Sequence, residues 1–351
     1  MKLSIEKVAT KEIKDFKEVH ELSVKMTRIF GKTKLDLLLK VVEQENTESL
    51  IYESIIEKLI KYLKEKYGVT NPCRFLPIPE YVTTLKGSDN PEYTNFKMII
   101  TKDVKCSGYL RFQDGTNLDY EHSTVALASL ARFHAISYCY QKEKNRDLEV
   151  HKKVLENSSL LEATRKNIFQ VFKKHPEFHL YAHLFLEQEE DMLDLQEHGD
   201  TFSVLCHGPY FETSLMFKYA LEDEEERPCD SIFQNLGNCY QGSIIPDLLI
   251  FLFSCINHNI RKNFLLQFIT TVYYDTFNSA VNHINKDIFV FTKIEFFTEV
   301  KRLAVSCGLS ALAIKLQMQE KVERRKSISS DQETVLATFR DVLKIMNCQD
   351  I

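Results

Sequence analysis

The sequence predicts an α+β fold in which a small strand-rich region precedes a larger, mostly helical region. Residues 35–42 (LDLLLKVV) are apolar and rich in branched side chains around one lysine, which is typical of a buried strand. Residues 46–66 then carry apolar side chains at helical spacing, with charged residues between them. From residue 118 onward, long amphipathic segments dominate. These patterns together indicate one sheet near the N-terminus and a helical remainder.

Further strands are predicted in the N-terminal region. A proline-containing loop follows the first helix, and short strand-like runs appear at 79–85 and 96–101. Residues 1–30 mix a helical pattern with short alternating pieces and favour neither assignment. A strand, a helix and further strands in this order predict a small antiparallel sheet with one helix over residues 1–101.

The C-terminal region is predicted to be mostly helical. Residues 118–143 form a long amphipathic pattern, and further helices are expected at 150–175 and 177–198. A short strand–loop–strand segment is expected at 202–234, with three or four helices after it.

Three shorter segments have distinct predicted environments. The acidic run 222–226 (EDEEE) is expected on a solvated hairpin turn. The apolar run 248–256 (LLIFLFSCI) is too short to span a bilayer and predicts a buried helix. Residues 323–331 (ERRKSISSD) are expected to form a polar link before a last helix.

Composition excludes several classes of protein. The chain has 351 residues and a net charge of −5, which gives no support to nucleic-acid binding. Its nine cysteines are scattered, odd in number and lack a C-x-x-C pair, so a reduced environment is expected. The charged N-terminus lacks the apolar run of a signal peptide. We therefore expect a soluble cytoplasmic protein with no membrane span.

Residues 204–219 (VLCHGPYFETSLMFKY), followed by 231–234 (SIFQ), carry the most informative motif. This segment resembles the H-G-D-x-x-x-x-N and D-F-Q phosphotransfer core of the ecdysteroid-kinase-like family of insects and nematodes, also called choline-kinase-like or CHK. Relative to that core, Pro209 replaces the catalytic Asp, Ser214 the metal-binding Asn, and Ile232 the metal-binding Asp.

Four other blocks extend the resemblance in the expected order. They are LLLKVVEQENTESLIYESII at 37–56, KDVKCSGY at 102–109, LASLARFHAIS at 127–137 and PDLLIFLF at 246–253. The resemblance implies a protein-kinase-like two-lobe fold of the aminoglycoside phosphotransferase and choline kinase type. Its expected parts are an N-lobe at 1–101, a hinge at 102–107 and a helical C-lobe at 108–351 with the degenerate segment at 204–234.

The same resemblance assigns roles to four other residues. Lys40 and Glu48 match the pair that positions ATP phosphates in the family, while His207 and Asp247 match structural positions around the catalytic loop. Two interpretations of Lys40 stay open, a structural tie to Glu48 or a contact with nucleotide. His134, among apolar neighbours, is expected to be a satisfied core residue.

The replacements remove groups that phosphoryl transfer needs. That reaction requires Mg²⁺ and phosphates held in line with an attacking hydroxyl, and a group that orients the hydroxyl. Ile232 has no side-chain oxygen for Mg²⁺, Ser214 offers a weaker ligand than an amide, and Pro209 accepts no proton. Among the nearby carboxylates, Glu212 is the candidate substitute. The sequence therefore predicts no metal site and no catalytic residue at these positions.

Three functions are compatible with these features. The first is a pseudokinase that acts by binding a small molecule, nucleotide or protein partner. The second is an active ATP-dependent kinase for a steroid or other alcohol with substituted metal ligands, and only this hypothesis requires ATP and Mg²⁺. The third is a structural scaffold with a filled cleft, suggested by the bulky side chains of 18–30 and the lack of a glycine-rich loop before Lys40.

Overall fold

A computed structural model gives the chain the α+β fold that the sequence predicts. The structure describes residues 22–30, 33–43, 47–68, 75–86, 96–112, 117–144, 148, 150, 166, 168–175, 184, 201–208, 210–322 and 329–348. The chain divides into two compact units. The first consists of Met1–Leu110 and Ile232–Gly237, and the second of Arg111–Ser231 and Asn238–Ile351. A short segment that is distant in sequence thus returns to the first unit.

The first unit contains a four-stranded antiparallel sheet, whose strands lie in the order β1-β2-β4-β3. Its strands are β1 (Leu22–Phe30), β2 (Thr33–Glu43), β3 (Tyr81–Lys86) and β4 (Phe96–Lys102). The three predicted strands lie within β2, β3 and β4 and are confirmed. Leu37 and Leu39 are buried in β2 because alternate residues of a strand share one face. A 3-10 turn (Val104–Ser107) and the short strand β5 (Tyr109–Leu110) follow the sheet.

The predicted helix at 46–66 is confirmed, although its centre is not α-helical. It consists of α1 (Thr47–Leu50), a π-helical segment (Ile51–Ile56) and α2 (Glu57–Tyr67). Ile51, Ile55, Ile56, Leu59 and Leu63 are buried, whereas Leu50 is 56 % exposed. The helix ends at Gly68, whose φ of +59° makes a left-handed C-cap. Helical spacing alone does not distinguish the π segment from a regular α-helix.

The second unit begins with the buried helix α3 (Tyr120–Lys144), as the pattern at 118–143 predicts. Two strand pairs follow. The strand β6 (Ser203–Cys206) pairs with β9 (Tyr240–Ser243), and β7 (Leu215–Glu222) pairs with β8 (Glu225–Phe233). The predicted hairpin turn within 222–226 is confirmed, since Asp223 and Glu224 connect β7 to β8 with positive φ.

Helices form the rest of the second unit. They are α4 (Ile244–Cys255), α5 (His258–Gln267), a π-helical segment (Phe268–Tyr274), α6 (Asp275–Ile284), α7 (Lys293–Val322) and α8 (Ser329–Met346). The apolar run at 248–256 is buried, mostly within α4, as predicted. The last helix begins at Ser329, so the predicted polar link at 323–331 is wrong in its final residues. The remainder of that link lies outside the described residues.

Other expectations are tested only in part. Of the helices predicted at 150–175 and 177–198, residues 168–173 are helical, and most of the remainder lies outside the described residues. No disulfide joins the cysteines that the structure describes. Within the described part of the chain, no helix combines the length and apolar character needed to cross a bilayer.

Candidate functional site

The His-Gly loop begins where β6 ends. Pairing with β9 fixes the direction of β6, and the backbone N–H of Leu205 also donates to Ser137 Oγ at 2.9 Å. Gly208 has a φ of +86°, and a Cβ built there would lie 2.5 Å from the carbonyl oxygen of Asn238. Both the backbone conformation and the available space therefore require glycine at this position.

Asp247 holds the backbone of this loop. It lies in the first turn of α4 with 2 % of its surface exposed. Its Oδ2 accepts the N–H of His207 at 2.6 Å, and its Oδ1 accepts the N–H of Gly208 at 3.1 Å. Hydrogen bonds to a carboxylate are stronger than those between neutral groups, so this contact fixes the loop backbone. The structure thus brings together His207 and Asp247, two residues that the resemblance singles out.

His134 on α3 extends this arrangement. The residue is fully buried, with Nε2 lying 3.3 Å from Asp247 Oδ2 and Nδ1 lying 2.5 Å from the hydroxyl of Tyr273. Burial, followed by the charge of Asp247, raises the pKa of Tyr273 well above its ordinary value. His134 is therefore a satisfied core residue, as expected, but its partnership with Asp247 was missed. The two residues are 113 positions apart in the chain, and the sequence contains no signal that pairs them.

Ser214, a position that the resemblance marks as degenerate, lies in the second unit. Ser214 is buried in the 3-10 turn Glu212–Ser214, and its N–H donates to the carbonyl of Phe211 at 2.9 Å. Pro209 lies outside the described residues. The next residue, Tyr210, is fully buried and donates its hydroxyl to the carbonyl of Ala126 at 3.0 Å.

Glu212 is engaged with other side chains of the second unit. Its carboxylate interacts electrostatically with the thiol of Cys255, at the end of α4, and that thiol donates to the carbonyl of Tyr210 at 3.7 Å. Burial raises the pKa of this thiol well above its ordinary value, and the charge of Glu212 acts in the same direction. Glu212 also interacts electrostatically with Lys315 on α7, whose pKa burial lowers to about 8. The expected substitute carboxylate is therefore part of a charge cluster with Cys255 and Lys315.

In the first unit, Lys40 and Glu48 form the ion pair that the resemblance implies. Lys40 Nζ lies 2.6 Å from Glu48 Oε2, and the two side chains are 16 % and 7 % exposed. Lys40 also donates to Asn235 Oδ1 at 3.4 Å, and the N–H of Leu236 donates to Glu48 Oε1 at 3.2 Å. The contributions of Asn235 and Leu236 were not predicted, because nothing in the sequence connects positions so far apart.

The third degenerate position, Ile232, lies near the end of β8 and belongs to the first unit. Its side chain is 6 % exposed. The next residue, Phe233, donates its N–H to the carbonyl of Pro77 at 2.9 Å, which fixes the strand end at this point. An apolar side chain thus occupies an ordered, buried position where the family motif has a carboxylate.

A His-Gly loop held by a buried aspartate, together with a lysine–glutamate ion pair on the first sheet and helix, defines a kinase-like protein of the phosphotransferase fold. The particular family follows from the sequence match. Residues 4–286 match the model of the ecdysteroid kinase-like family, so the chain belongs to this family. No curated protein matches the chain by sequence.

Several solved structures are similar to the chain over most of its length. A GDP complex of a point variant of aminoglycoside 2'-phosphotransferase-IIIa is 14 % identical, with a TM-score of 0.43, covering 96 % of this chain and 97 % of that one. Choline kinase of Cryptosporidium parvum is 11 % identical, with a TM-score of 0.38 and coverages of 98 % and 95 %. Ethanolamine kinase of Plasmodium vivax is 11 % identical, with a TM-score of 0.34 and coverages of 94 % and 82 %. Because these TM-scores are below 0.5, the assignment depends on the family match.

Proposed function

We propose that this member of the ecdysteroid kinase-like family is a pseudokinase, which binds a small molecule or protein partner and transfers no phosphoryl group. The observation that carries the proposal is the buried apolar side chain of Ile232, at the position of the family's metal-binding aspartate. Mg²⁺ is a hard cation that takes oxygen ligands. Ile232 supplies none, so the charge neutralisation on which phosphoryl transfer depends is lost at this position.

Two further replacements support the proposal. Ser214 has one hydroxyl oxygen where the family motif has an amide, and its side chain is 7 % exposed. Pro209 has neither a proton acceptor nor a backbone N–H. Loss of a general base alone typically lowers a rate by roughly two to four orders of magnitude. A neighbouring group would therefore have to restore several functions together.

The contacts of Glu212 argue against such a replacement. Its carboxylate interacts electrostatically with the thiol of Cys255 and with Lys315. To bind a metal ion, Glu212 would have to give up part of its attraction to the largely buried amine of Lys315. Buried polar groups are costly to leave without partners.

One observation favours the alternative of an active ATP-dependent kinase. The ion pair between Lys40 and Glu48 is present at 2.6 Å, and the resemblance gives this pair the task of positioning phosphates. The phosphate acceptor would then be a steroid or another small hydroxylated molecule, as the resemblance implies. The scaffold hypothesis depends on side chains of residues 18–30, which lie outside the described side chains, and it stays a prediction from the sequence.

A thermal-shift titration of the purified chain with ATP, with and without Mg²⁺, tests the proposal. A ligand that binds the native state alone raises the melting temperature by mass action. We expect no Mg²⁺-dependent rise. A rise that is independent of Mg²⁺ would define a nucleotide-binding pseudokinase, and no rise would indicate a different ligand. Mg²⁺-dependent transfer of phosphate from ATP to a small alcohol would overturn the proposal.

A matched variant tests the cause of inactivity. The triple substitution Pro209→Asp, Ser214→Asn and Ile232→Asp restores the family's side chains at the three positions. If these replacements alone abolish catalysis, the variant gains a Mg²⁺-dependent rise in melting temperature with ATP. An unchanged response in a folded variant would show that other parts of the chain also prevent nucleotide binding.

A further inference from the structure

Three potential metal ligands from three different elements meet behind the His-Gly loop. His134 comes from α3, Cys206 from the end of β6 and Asp247 from α4. One ligand atom of each residue lies within 4.8 Å of the others. All three residues are buried, with exposed fractions of 0 %, 0 % and 2 %. The cluster contains an imidazole, a thiol and a carboxylate, the side chains that bind Zn²⁺ in proteins.

The charge of Asp247 is the first argument for a cation at this cluster. Within the described part of the chain, the ion-pair partner of its carboxylate is His134, and no lysine or arginine pairs with it. The two backbone N–H groups that donate to Asp247 carry no net charge, so a bound cation would compensate the buried carboxylate more fully. A thiolate of Cys206 and the carboxylate of Asp247 would together neutralise a divalent cation, with His134 as a neutral ligand. Metal binding would thus balance the charge of this buried region.

Geometry is the second argument. His134 Nε2 and Asp247 Oδ2 are 3.3 Å apart. This distance is about the separation of two ligands that each lie roughly 2.0 Å from one tetrahedral metal ion. The other ring nitrogen of His134 contacts the hydroxyl of Tyr273 at 2.5 Å. Metal-binding histidines usually have such a partner, which orients the ring and fixes its tautomer.

Coordination would replace the hydrogen bond between His134 Nε2 and Asp247 Oδ2, but the other hydrogen bonds of Asp247 are compatible with it. Each oxygen of Asp247 accepts one backbone N–H, and a carboxylate oxygen has a further lone pair available. The thiol of Cys206 donates to the carbonyls of Ser243 at 3.2 Å and Gly242 at 3.5 Å. It would exchange these weak bonds for a metal–sulfur bond and release its proton to solvent, because the thiolate is the metal-binding form.

From these observations we infer that His134, Cys206 and Asp247 supply three ligands of a site for a divalent ion of the Zn²⁺ class, in which a fourth ligand such as water would complete the tetrahedron. The bound ion would link α3, β6 and α4 next to the start of the His-Gly loop. This site is separate from the family's magnesium positions, and its existence does not depend on the proposed function. The three ligands are far apart in the chain and match no metal-binding spacing, so the sequence alone predicts no metal here.

Metal binding by the full chain tests the inference directly. The protein is stripped with a chelator, equilibrated with Zn²⁺ and assayed for metal by mass spectrometry. In parallel, Co²⁺ is added and the near-ultraviolet band of thiolate-to-cobalt charge transfer is recorded. We expect about one tightly bound ion per chain, a higher melting temperature with Zn²⁺ and a thiolate–cobalt band. Absence of bound metal and of the band would overturn the site and leave a hydrogen-bonded polar cluster.

Two cysteine variants identify the ligand. Cys206→Ala should abolish the cobalt band and the Zn²⁺-dependent rise in melting temperature. Cys139→Ala is the matched control, because Cys139 is a fully buried cysteine of α3 outside the cluster, and it should retain both signals. A cobalt band that survives Cys206→Ala would contradict the assignment. If Cys206→Ala does not fold, the metal content and cobalt spectrum of the wild-type protein and the Cys139→Ala variant decide the question.

Discussion

The carboxylate of Asp247 accepts the backbone N–H of His207 at 2.6 Å, although the two residues belong to separate elements of the chain. The contact involves no side-chain atom of His207, so it fixes the path of the loop independently of the side chains that perform catalysis in the family. Replacing side chains of the loop would therefore leave these two backbone hydrogen bonds in place.

Asp247→Ala should strongly destabilise the protein. The substitution leaves the N–H groups of His207 and Gly208 without their acceptor, and hydrogen bonds to charged groups contribute about 1.5–3 kcal/mol each. We expect urea denaturation to show a loss of about 3 kcal/mol in the free energy of unfolding. Asp230→Ala is the control, because Asp230 is 40 % exposed and its ion pair with Arg132 contributes at most about 1 kcal/mol. Equal losses in the two variants would contradict the role of Asp247.

Gly208→Ala should destabilise the protein more than the same substitution at Gly68. Both glycines have positive φ, which costs a non-glycine residue about 1–2 kcal/mol. At Gly208 the new Cβ would also lie 2.5 Å from a backbone oxygen, whereas at Gly68 nothing lies within 4 Å. The difference between the two losses therefore measures the clash, and we expect it to be at least about 1 kcal/mol. If the two variants lose the same free energy of unfolding, the loop adjusts without strain.

Local patterns were sufficient to predict most of the secondary structure. The strand containing Leu37 and Leu39 was predicted because alternate burial leaves a direct trace in sequence. The helix at 118–143 was also predicted, although it is not amphipathic, since residues 133–140 are all buried. The π-helical segment Ile51–Ile56 was not predicted, since an extra residue in one turn changes the apolar spacing too little to be recognised. The start of the last helix at Ser329 was missed because the polar residues there resemble a loop.

The candidate site was predictable in its parts but not in its connections. The resemblance paired Lys40 with Glu48, and the ion pair is present. The contact of Leu236 with Glu48 and that of His134 with Asp247 join distant positions, and a single sequence contains no signal for such pairs. Glu212 was considered as a substitute ligand because it lies close to Pro209 in sequence. Its contact with Cys255 depends on the packing of α4, which sequence distance does not reveal.

Lys40→Met should destabilise the first unit whether or not nucleotide binds. It removes the cation from Glu48, which is 7 % exposed, and breaking a buried ion pair typically costs about 3 kcal/mol. The double variant Lys40→Met, Glu48→Gln should recover part of this loss because no uncompensated charge remains. The control is Lys97→Met, whose partner Glu53 is 33 % exposed, with an expected loss below about 1 kcal/mol. A double variant as unstable as the single one would show that Lys40 does not act through Glu48.

Lys315 should make stability depend on pH above neutrality. Burial, followed by repulsion from Arg261, lowers its pKa to about 8 from an ordinary 10.5, while Cys255, Glu212 and Asp341 act in the opposite direction. Between pH 8 and 10.5 the unfolded chain therefore binds more protons at this residue than the folded chain. The contribution of Lys315 to the free energy of unfolding then rises with pH across this window and is constant below it.

Lys315→Met isolates this contribution. The variant has no titrating group at the position, so the wild-type free energy of unfolding, minus that of the variant, should increase from pH 8 to 10.5. The raised pKa values of Cys255 and of the buried tyrosines lower stability at high pH, but these groups are present in both proteins and largely cancel in the difference. Urea denaturation at closely spaced pH values measures both curves. Parallel curves across the window would show that Lys315 keeps its ordinary pKa and that the cluster around Glu212 is more hydrated than its packing indicates.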